Sequence, residues 1–347
     1  MVDDDAAPGP DSASSLVRQL DRASAFLDRH PWLLPTASFA IGWLGFFLFH
    51  RGENLARVIA AIALLGWVWL LAESLLGRWL VARSGGRLSI GAVRFVTQQI
   101  QQEILFFALP FLFAATLGEP GQMLFLGGAM AVAVLITLDP IYLHRIAPHA
   151  GWSSALHAYC TLIAALVVLP VAVHLPLDLA LPLALTLTLL SLLASLPRML
   201  RSTERTSLRV LGMLAIPCVM FAAWNLRSWI PPAGLWVRDA RITDRVEARE
   251  PGEAIRVFAA EDLHANGAIA FVAVRAPTGL SQSVVFEWRH RGVLIDPIPA
   301  EISGGREEGF RTYSRKKNFP EDPRGLWRVD LLTPQRQLIA RMRFEVR

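Results

Sequence analysis

The chain has 347 residues, of which 53% are hydrophobic and 18% are charged, and its net charge is +5 at pH 7. The apolar residues concentrate before Pro231, in blocks long enough to cross a bilayer, so a single soluble fold is excluded. The small basic excess lies on no recognisable nucleic-acid-binding module, which argues against a nucleic-acid partner. Both cysteines, Cys160 and Cys218, fall in apolar segments, so no disulfide framework is predicted.

Residues 1–29 are polar and open with an acidic stretch, unlike a signal peptide, in which a basic run leads into a short apolar core. We expect a cytoplasmic segment here that is disordered or, from Asp11 onward, an amphipathic helix. The first apolar helix then has to act as the uncleaved membrane signal.

Seven apolar segments predict a seven-helix transmembrane domain over residues 30–230. They cover residues 32–49, 56–76, 104–117, 123–138, 155–175, 177–196 and 210–230. The third and fourth are short, and we expect the third to begin upstream, near Phe95. The tight link at Pro176 predicts that the fifth and sixth segments form a hairpin.

Arginines near the segment ends predict the orientation, because basic side chains resist translocation. With the N-terminus inside, the short outer loops hold only Arg51 and Arg57. The inner side collects Arg18, Arg22, Arg29, Arg78, Arg83, Arg87, Arg94, Arg145, Arg198, Arg201, Arg205 and Arg209. An odd number of crossings then places the chain after Pro231 outside the cytoplasm. Membrane lipids are the expected surroundings and partners.

Residues 231–347 form a separate region with alternating apolar and polar side chains, which indicates strands. Strands are predicted at residues 236–246, 268–275, 283–291, 310–315, 326–331 and 337–346. Trp288 and Trp327 fall at the inward phase and are expected in the core. Six or seven short strands without a helical period predict a small all-β, sandwich-like domain of immunoglobulin-like build.

A polar cluster stands out near the third segment. Gln98, Gln101 and Gln102 share one helical face and are followed by Glu103, while Asp139 lies at the inner end of the fourth segment. Polar groups at membrane depth are functional candidates because removing them from water is costly. The cluster is suited to lining a solute path or binding a headgroup. The alternative is that these residues only bond neighbouring helices or interfacial water.

In the outer region, Arg289, Arg291, Arg311, Tyr313 and Arg315 are expected on the surface. A basic surface with a tyrosine is suited to an anionic ligand of the cell envelope, such as a lipid headgroup, a glycan or an acidic protein. The alternative is a solvated basic face that leans on anionic lipid headgroups.

Motifs for catalysis are missing from the sequence. It contains neither H-E-x-x-H nor a G-x-x-x-x-G-K-[ST] phosphate loop, and no lysine precedes Lys316. Ser154 near His157 lacks the second glycine of a nucleophile elbow. We therefore expect no enzymatic activity, no cofactor and no metal site.

Four short motifs mark the tail: Trp288-Arg-His-Arg-Gly292, Arg311-Thr-Tyr-Ser314, Gly325-Leu-Trp-Arg-Val-Asp330 and Arg343-Phe-Glu-Val346. This set resembles the C-terminal domain of an uncharacterised bacterial membrane family, a domain of unknown function with the patterns W-x-x-x-G, R-x-x-S, G-x-W-x-V and F-x-V. Residues 102–111 and the Asp139-Pro140 pair are similar to the usual helical companion of that domain.

The resemblance implies a multi-pass protein of the bacterial inner membrane with a periplasmic β-domain and no assigned reaction. Members often carry a polar residue such as His before the tryptophan of the first motif. Here that residue is Glu287, so no ligand role is transferred to it.

These observations favour a non-enzymatic inner-membrane protein that presents its periplasmic β-domain to an envelope ligand or protein. The alternative is a transporter or lipid-handling protein. Its path would use the cluster from Gln98 to Glu103 together with Asp139.

Overall fold

The computed structural model describes residues 36–37, 39–40, 43–44, 90–138, 141–202, 206–277, 279–304 and 309–347. The predicted N-terminal segment, nearly all of the first two predicted spans and Asp139 lie outside these residues. Within them, a helical part is followed by a β-sheet domain, which confirms the coarse order predicted from composition.

Five long helices form the described helical part. They are α1 (Ile90–Ala115), α2 (Pro120–Thr137), α3 (Ala150–Val171), α4 (Leu177–Ser202) and α5 (Thr206–Asn225). A π-helical turn, Tyr142–Ile146, lies between α2 and α3, and a 3₁₀ turn, Arg227–Trp229, follows α5. The α3–α4 hairpin is present as predicted.

The prediction of seven membrane spans is not supported. Among the described residues, three helices are long and apolar enough to cross a membrane: Pro120–Thr137, Ala150–Val171 and Leu177–Arg201. Helix α1 has the length, but its glutamines and Glu103 lower its hydropathy. In α5 the apolar part is only the shorter stretch Arg209–Asn225.

Helix α3 is central to the helical part. It packs against α1 and α4, and nearly all of its side chains from Leu156 onward are buried. Leu105, Leu112 and Leu181 belong to the same core. Helices α2 and α5 expose large apolar side chains on their outer surfaces, a pattern typical of helices that face lipid.

Two sheets packed face to face make up the β-domain. The smaller has the order β1-β5-β8, with β1 (Trp236–Thr243), β5 (Ala268–Arg275) and β8 (Phe310–Lys316). The larger has the order β4-β10-β9-β6-β7, with β4 (Val257–Phe258), β6 (Ser281–His290), β7 (Val293–Ser303), β9 (Gly325–Leu332) and β10 (Leu338–Val346). A hairpin of β2 (Val246–Glu247) and β3 (Glu250–Pro251) and a short helix, α6 (Ala260–Asn266), complete it.

The core between the sheets is aromatic. Trp288 and Trp327 are fully buried, which confirms their predicted inward phase. Trp327 stacks on Phe344 with the ring centroids 5.9 Å apart, and Phe319 meets both tryptophans edge-on. Two large indoles in one small core supply much of its apolar burial.

Strand β7 was not predicted from the sequence. It contains Pro297 and Pro299, which cannot donate ladder hydrogen bonds and argue against a strand. The structure resolves the conflict because β7 is the edge strand beside β6, where one side of each residue needs no partner.

The connection between the two parts is buried. Ile230 and Ala233 belong to the helical core, while Leu235, two residues later, belongs to the sandwich core. Leu177, the first residue of α4, also packs into the sandwich core. The β-domain therefore sits directly on one end of the helices, which we call the β-domain end. The opposite end is the far end.

Candidate functional site

Three buried glutamines join the helical part to the β-domain. The Gln122 side chain in α2 donates a 2.8 Å hydrogen bond to the carbonyl of Leu338. Gln282 accepts a 2.6 Å bond from the backbone amide of Leu177, and Gln337 donates a 3.3 Å bond to the carbonyl of Ile230. Buried amides with backbone partners fix orientation as well as position. We call these three glutamines the glutamine seam.

Glu119, the residue before α2, lies beside this seam and receives two arginines from β10. Arg341 Nη1 lies 2.7 Å from its Oε2, and Arg343 Nη2 lies 2.6 Å from its Oε1. Burial alone would raise the pKa of Glu119, but the hydrogen bonds and positive charges of Arg343 and Arg341 outweigh burial and lower its pKa. The carboxylate is thus held ionised at the base of the β-domain.

The outer face of the five-stranded sheet continues this charge network. Strand pairing places Glu287, Asp330 and Arg341 side by side on β6, β9 and β10. Both carboxylates are buried. Asp330 is bound by Arg341 at 2.6 Å and contacts Arg328 at 3.2 Å.

Glu287 is held in the same way. Its carboxylate lies 2.7 Å from Arg289 and 2.9 Å from Arg336. Burial would raise the pKa of Glu287, whereas the bonds and charges of Arg289 and Arg336 lower it overall. Glu287 therefore holds two arginines in place on this face.

In the next row along the same face, three adjacent strands each carry an arginine. Arg289 on β6 pairs with Arg328 on β9, which in turn pairs with Arg343 on β10. We call these three residues the arginine row. Their exposed fractions rise across the sheet, from 20% for Arg289 through 36% for Arg328 to 61% for Arg343. Like charges directly opposite each other in a sheet are destabilising, so this row favours an anion.

Charge counting supports the same conclusion. In the network, three carboxylates face five arginines. The carboxylates are Glu119, Glu287 and Asp330, and the arginines are Arg289, Arg328, Arg336, Arg341 and Arg343. The face keeps a local positive excess after its internal pairs are formed.

The five residues predicted from sequence do not form one surface. Arg289 belongs to the arginine row, and Arg291 lies in the β6–β7 turn, where it bonds the carbonyl of Arg324 at 2.9 Å. Arg311, Tyr313 and Arg315 lie on β8, on the outer face of the other sheet. The sandwich core separates the two groups.

On the three-stranded sheet, the predicted residues differ in availability. Arg311 is ion-paired with Glu250 of the β2–β3 hairpin. Tyr313 is 52% exposed and pairs across the sheet with the buried Phe271, and Arg315 is exposed. This face offers fewer adjacent cations than the arginine row.

The tryptophans and glycines of the family-like motifs have structural roles. The indole of Trp288 donates a 3.0 Å hydrogen bond to the hydroxyl of Ser314, which joins two motifs across the two sheets. The indole of Trp327 donates a 2.7 Å bond to the carbonyl of Pro323. Gly292 and Gly325 adopt positive φ angles of 86° and 116°, which suit glycine.

A second polar region lies inside the helices. Gln98, Gln101 and Gln102 are buried on one face of α1. Gln98 donates a 2.9 Å hydrogen bond to the carbonyl of Ile136, and the hydroxyl of Tyr142 donates a 3.1 Å bond to Gln101. Glu103 is exposed and faces away from this cluster.

Among the described residues, no group of three or more His, Cys, Asp and Glu side chains is placed to hold a metal ion. Arginines and amides instead dominate both polar regions. The arrangement is suited to holding an anion at the arginine row and neutral hydrogen-bonding groups within the helices.

Sequence comparison gives two matches to families. Residues 13–270 match a family described as a family of unknown function (DUF5924), and residues 281–346 match one described as a protein of unknown function (DUF2914). No curated protein and no solved structure matches. The first match ends within β5 and the second begins at the start of β6, so the sandwich takes strands from both matched regions.

Proposed function

Because the chain belongs to a family of unknown function, DUF5924, we propose a function from its geometry: a non-enzymatic protein of the bacterial inner membrane whose docked β-domain binds an anionic envelope ligand. The arginine row, Arg289–Arg328–Arg343, is the observation that carries this proposal. The shared chemistry of the ligand is a phosphate group, on a lipid headgroup or on a soluble molecule.

The proposed topology places the β-domain in the periplasm. Within the described residues, the far end of the helices carries Arg94, Arg145, Arg198, Arg201 and Arg209, and the connections at the β-domain end carry Arg227. Arginine excess marks the cytoplasmic side of membrane helices. Three helices are apolar enough to cross a membrane, and they support membrane insertion. We propose that additional spans lie before residue 90.

The location of Glu119 supports a ligand near the membrane surface. Glu119 directly precedes α2, a candidate span, and binds Arg343 of the arginine row. If α2 crosses the membrane, Glu119 lies close to the headgroups of the outer leaflet. A guanidinium binds phosphate through two parallel hydrogen bonds, so adjacent arginines at this level suit phosphate-bearing headgroups.

Arg289→Gln with Arg328→Gln is the cleanest test of the proposal. After both changes, each buried carboxylate still binds one arginine: Glu287 binds Arg336, and Asp330 binds Arg341. We expect bound anionic ligand to fall at least tenfold, since hydrogen bonds to charged groups contribute about 1.5–3 kcal/mol. Arg347→Gln is the matched control, because Arg347 is exposed and pairs only locally with Glu345.

The measurement uses full-length protein in nanodiscs of phosphatidylethanolamine with or without phosphatidylglycerol. Native mass spectrometry counts retained lipid, and titration with inorganic phosphate tests a soluble ligand separately. Retention of phosphatidylglycerol that is lost in the double variant supports a lipid ligand. Phosphate binding without lipid preference supports a soluble one. Equal binding by wild type and the double variant contradicts the proposal.

A transporter or lipid-handling function is the second candidate. The observation that favours it is the buried glutamine face of α1, which is hydrogen-bonded to the end of α2 and to Tyr142. Asp139, also assigned to that path, lies outside the described residues. Gln101→Leu should then abolish complementation of a deletion strain at normal protein abundance, whereas Glu103→Gln, on the exposed side, should not. Full complementation by Gln101→Leu argues against a path.

A further inference from the structure

The inner face of α1 changes character along its length. Towards the β-domain end it is apolar, with Leu105, Leu109 and Leu112 buried in the helical core. Towards the far end the same side of the helix carries Thr97, Gln98, Gln101 and Gln102, all buried. The spacing of these residues places the apolar and the polar stretch on one continuous face of α1. An apolar half of the bundle therefore adjoins a polar half.

Helix α3 shows the same change at the same depth. Gln102 lies about 13 residues before the end of α1 at Ala115, and His157 lies about 14 residues before the end of α3 at Val171. Both helices run towards the β-domain end, so these residues lie at a similar depth of about 20 Å. Ser154 is fully buried one turn closer to the far end.

Several buried polar atoms in this polar half, among them the side-chain nitrogen of Gln102, make no hydrogen bond within the part of the chain that the structure describes. Gln102 is 1% exposed, and its side-chain nitrogen makes no hydrogen bond to any described residue. Leaving a buried amide unbonded is costly, and proteins usually satisfy such groups with internal water. The other glutamines of this face already use Ile136 and Tyr142.

At the far end, an exposed side chain reaches the polar half. Arg198, near the end of α4, is exposed, and its guanidinium donates a 3.3 Å hydrogen bond to the buried hydroxyl of Ser154. A charged group in water thus contacts the start of the polar half. At the other end, the leucines of α1 and the glutamine seam close the bundle.

We propose that the bundle contains a hydrated pocket beside the glutamine face of α1, open at the far end, in which Gln102 binds water or a small neutral solute. Apart from His157, and Arg198 at the entrance, the groups assigned to it are neutral amides and hydroxyls, so we expect its occupant to be a hydrogen-bonding molecule without net charge. The inference rests on the membrane location proposed above and is independent of the arginine row.

Thiol accessibility tests the pocket, because only a hydrated thiol forms the reactive thiolate. Gln102→Cys, Ser154→Cys and Leu109→Cys are made in a Cys160→Ala, Cys218→Ala background. Leu109→Cys is the matched control, since it lies two turns from Gln102 on the same face of α1. Each variant is treated with an impermeant methanethiosulfonate in membrane vesicles of either orientation, and modification is followed by intact mass.

We expect Gln102→Cys and Ser154→Cys to react from the far end at least a hundredfold faster than Leu109→Cys, and not from the β-domain end. Reaction of Ser154→Cys alone shows that water stops before Gln102 and overturns the proposal. Equal rates for Gln102→Cys and Leu109→Cys, or reaction from the β-domain end only, overturn it as well. If Gln102→Cys does not fold, hydrogen exchange of its side-chain amide in wild type gives the answer, because a dry site does not exchange.

Discussion

The helical part and the β-domain bury different polar groups. Apart from His157, the buried polar side chains of the described helices are amides and hydroxyls, whereas the β-domain buries Glu287 and Asp330 with arginines bound to them. A carboxylate is tolerated in the interior only when cations and hydrogen bonds compensate its desolvation. The β-domain thus compensates its buried carboxylates with arginines, while the described helices avoid buried carboxylates.

The two regions meet where both kinds of group occur. The glutamine seam contributes neutral amides, and Glu119 contributes a charged carboxylate to arginines of β10. A β-domain joined to its membrane anchor by a flexible linker would not need these contacts. The junction therefore makes the arginine row a fixed surface relative to the helices.

The largest effect should come from dividing the β-domain at the family boundary. Residues 281–347 alone lack β1, β4 and β5, so one face of Trp288 and Phe286 loses its cover. We expect this fragment to be unfolded, whereas residues 231–347 give a cooperative transition. Circular dichroism during thermal unfolding checks both. Cooperative unfolding of the shorter fragment would show that the two matched regions fold separately.

Arg341→Ala should give the next largest effect. Arg341 bridges Asp330 of the β-domain to Glu119 of the helical part, and its loss leaves a buried carboxylate with weaker compensation. Breaking such a pair costs about 3–5 kcal/mol. Chemical denaturation of full-length protein measures the loss, with Arg347→Ala as the control expected to change little. Equal stability of the two variants would mean that the network adds nothing to the junction.

Glu119→Gln should weaken the junction by about 1–3 kcal/mol at neutral pH, because two charge-assisted hydrogen bonds are lost. The pKa of Glu119 is lowered in the folded state, so its contribution is present above the ordinary value of 4.5 and is lost as pH falls through the folded-state pKa. The stability difference between wild type and variant should shrink on acidification. Denaturation series at several pH values measure it, and a constant difference would contradict the assignment.

Arg328→Gln should have the smallest effect on stability, within about 0.5 kcal/mol or slightly stabilising. Asp330 keeps Arg341, and the repulsion within the arginine row is relieved. Thermal unfolding of the ligand-free protein measures this. A large loss of stability would show that the row is a structural element and not a binding surface.

Much of the fold follows from periodicity. Strand β5, Ala268–Arg275, was predicted with these bounds, and the inward phase of Trp288 and Trp327 came from alternation alone. Strand β7 was missed because its prolines argue against a strand, although an edge strand can contain them. Among the described residues, five spans were predicted and three helices qualify, because apolar length alone cannot tell a lipid-crossing helix from a shorter or partly polar one.

Less of the candidate site could be predicted from the sequence. Strand alternation puts Arg341 and Arg343 on one face of β10, but the pairing that sets Arg343 beside Arg328 depends on strand register. Glu119 binds Arg341, which lies 222 positions away in the chain, and no local sequence pattern predicts such a contact. The glutamine face of α1 was predictable because helical spacing alone defines it.

The most direct test of the proposed function compares the outer faces of the two sheets in cells. A photo-crosslinking residue replaces Leu326, which is 69% exposed beside the arginine row, or Tyr313 on the other sheet. We predict a phosphate-bearing adduct from position 326, absent from position 313 and removed by Arg328→Gln. No adduct at position 326 in folded protein, or equal adducts at both positions, would contradict the assignment of the arginine row as the binding surface.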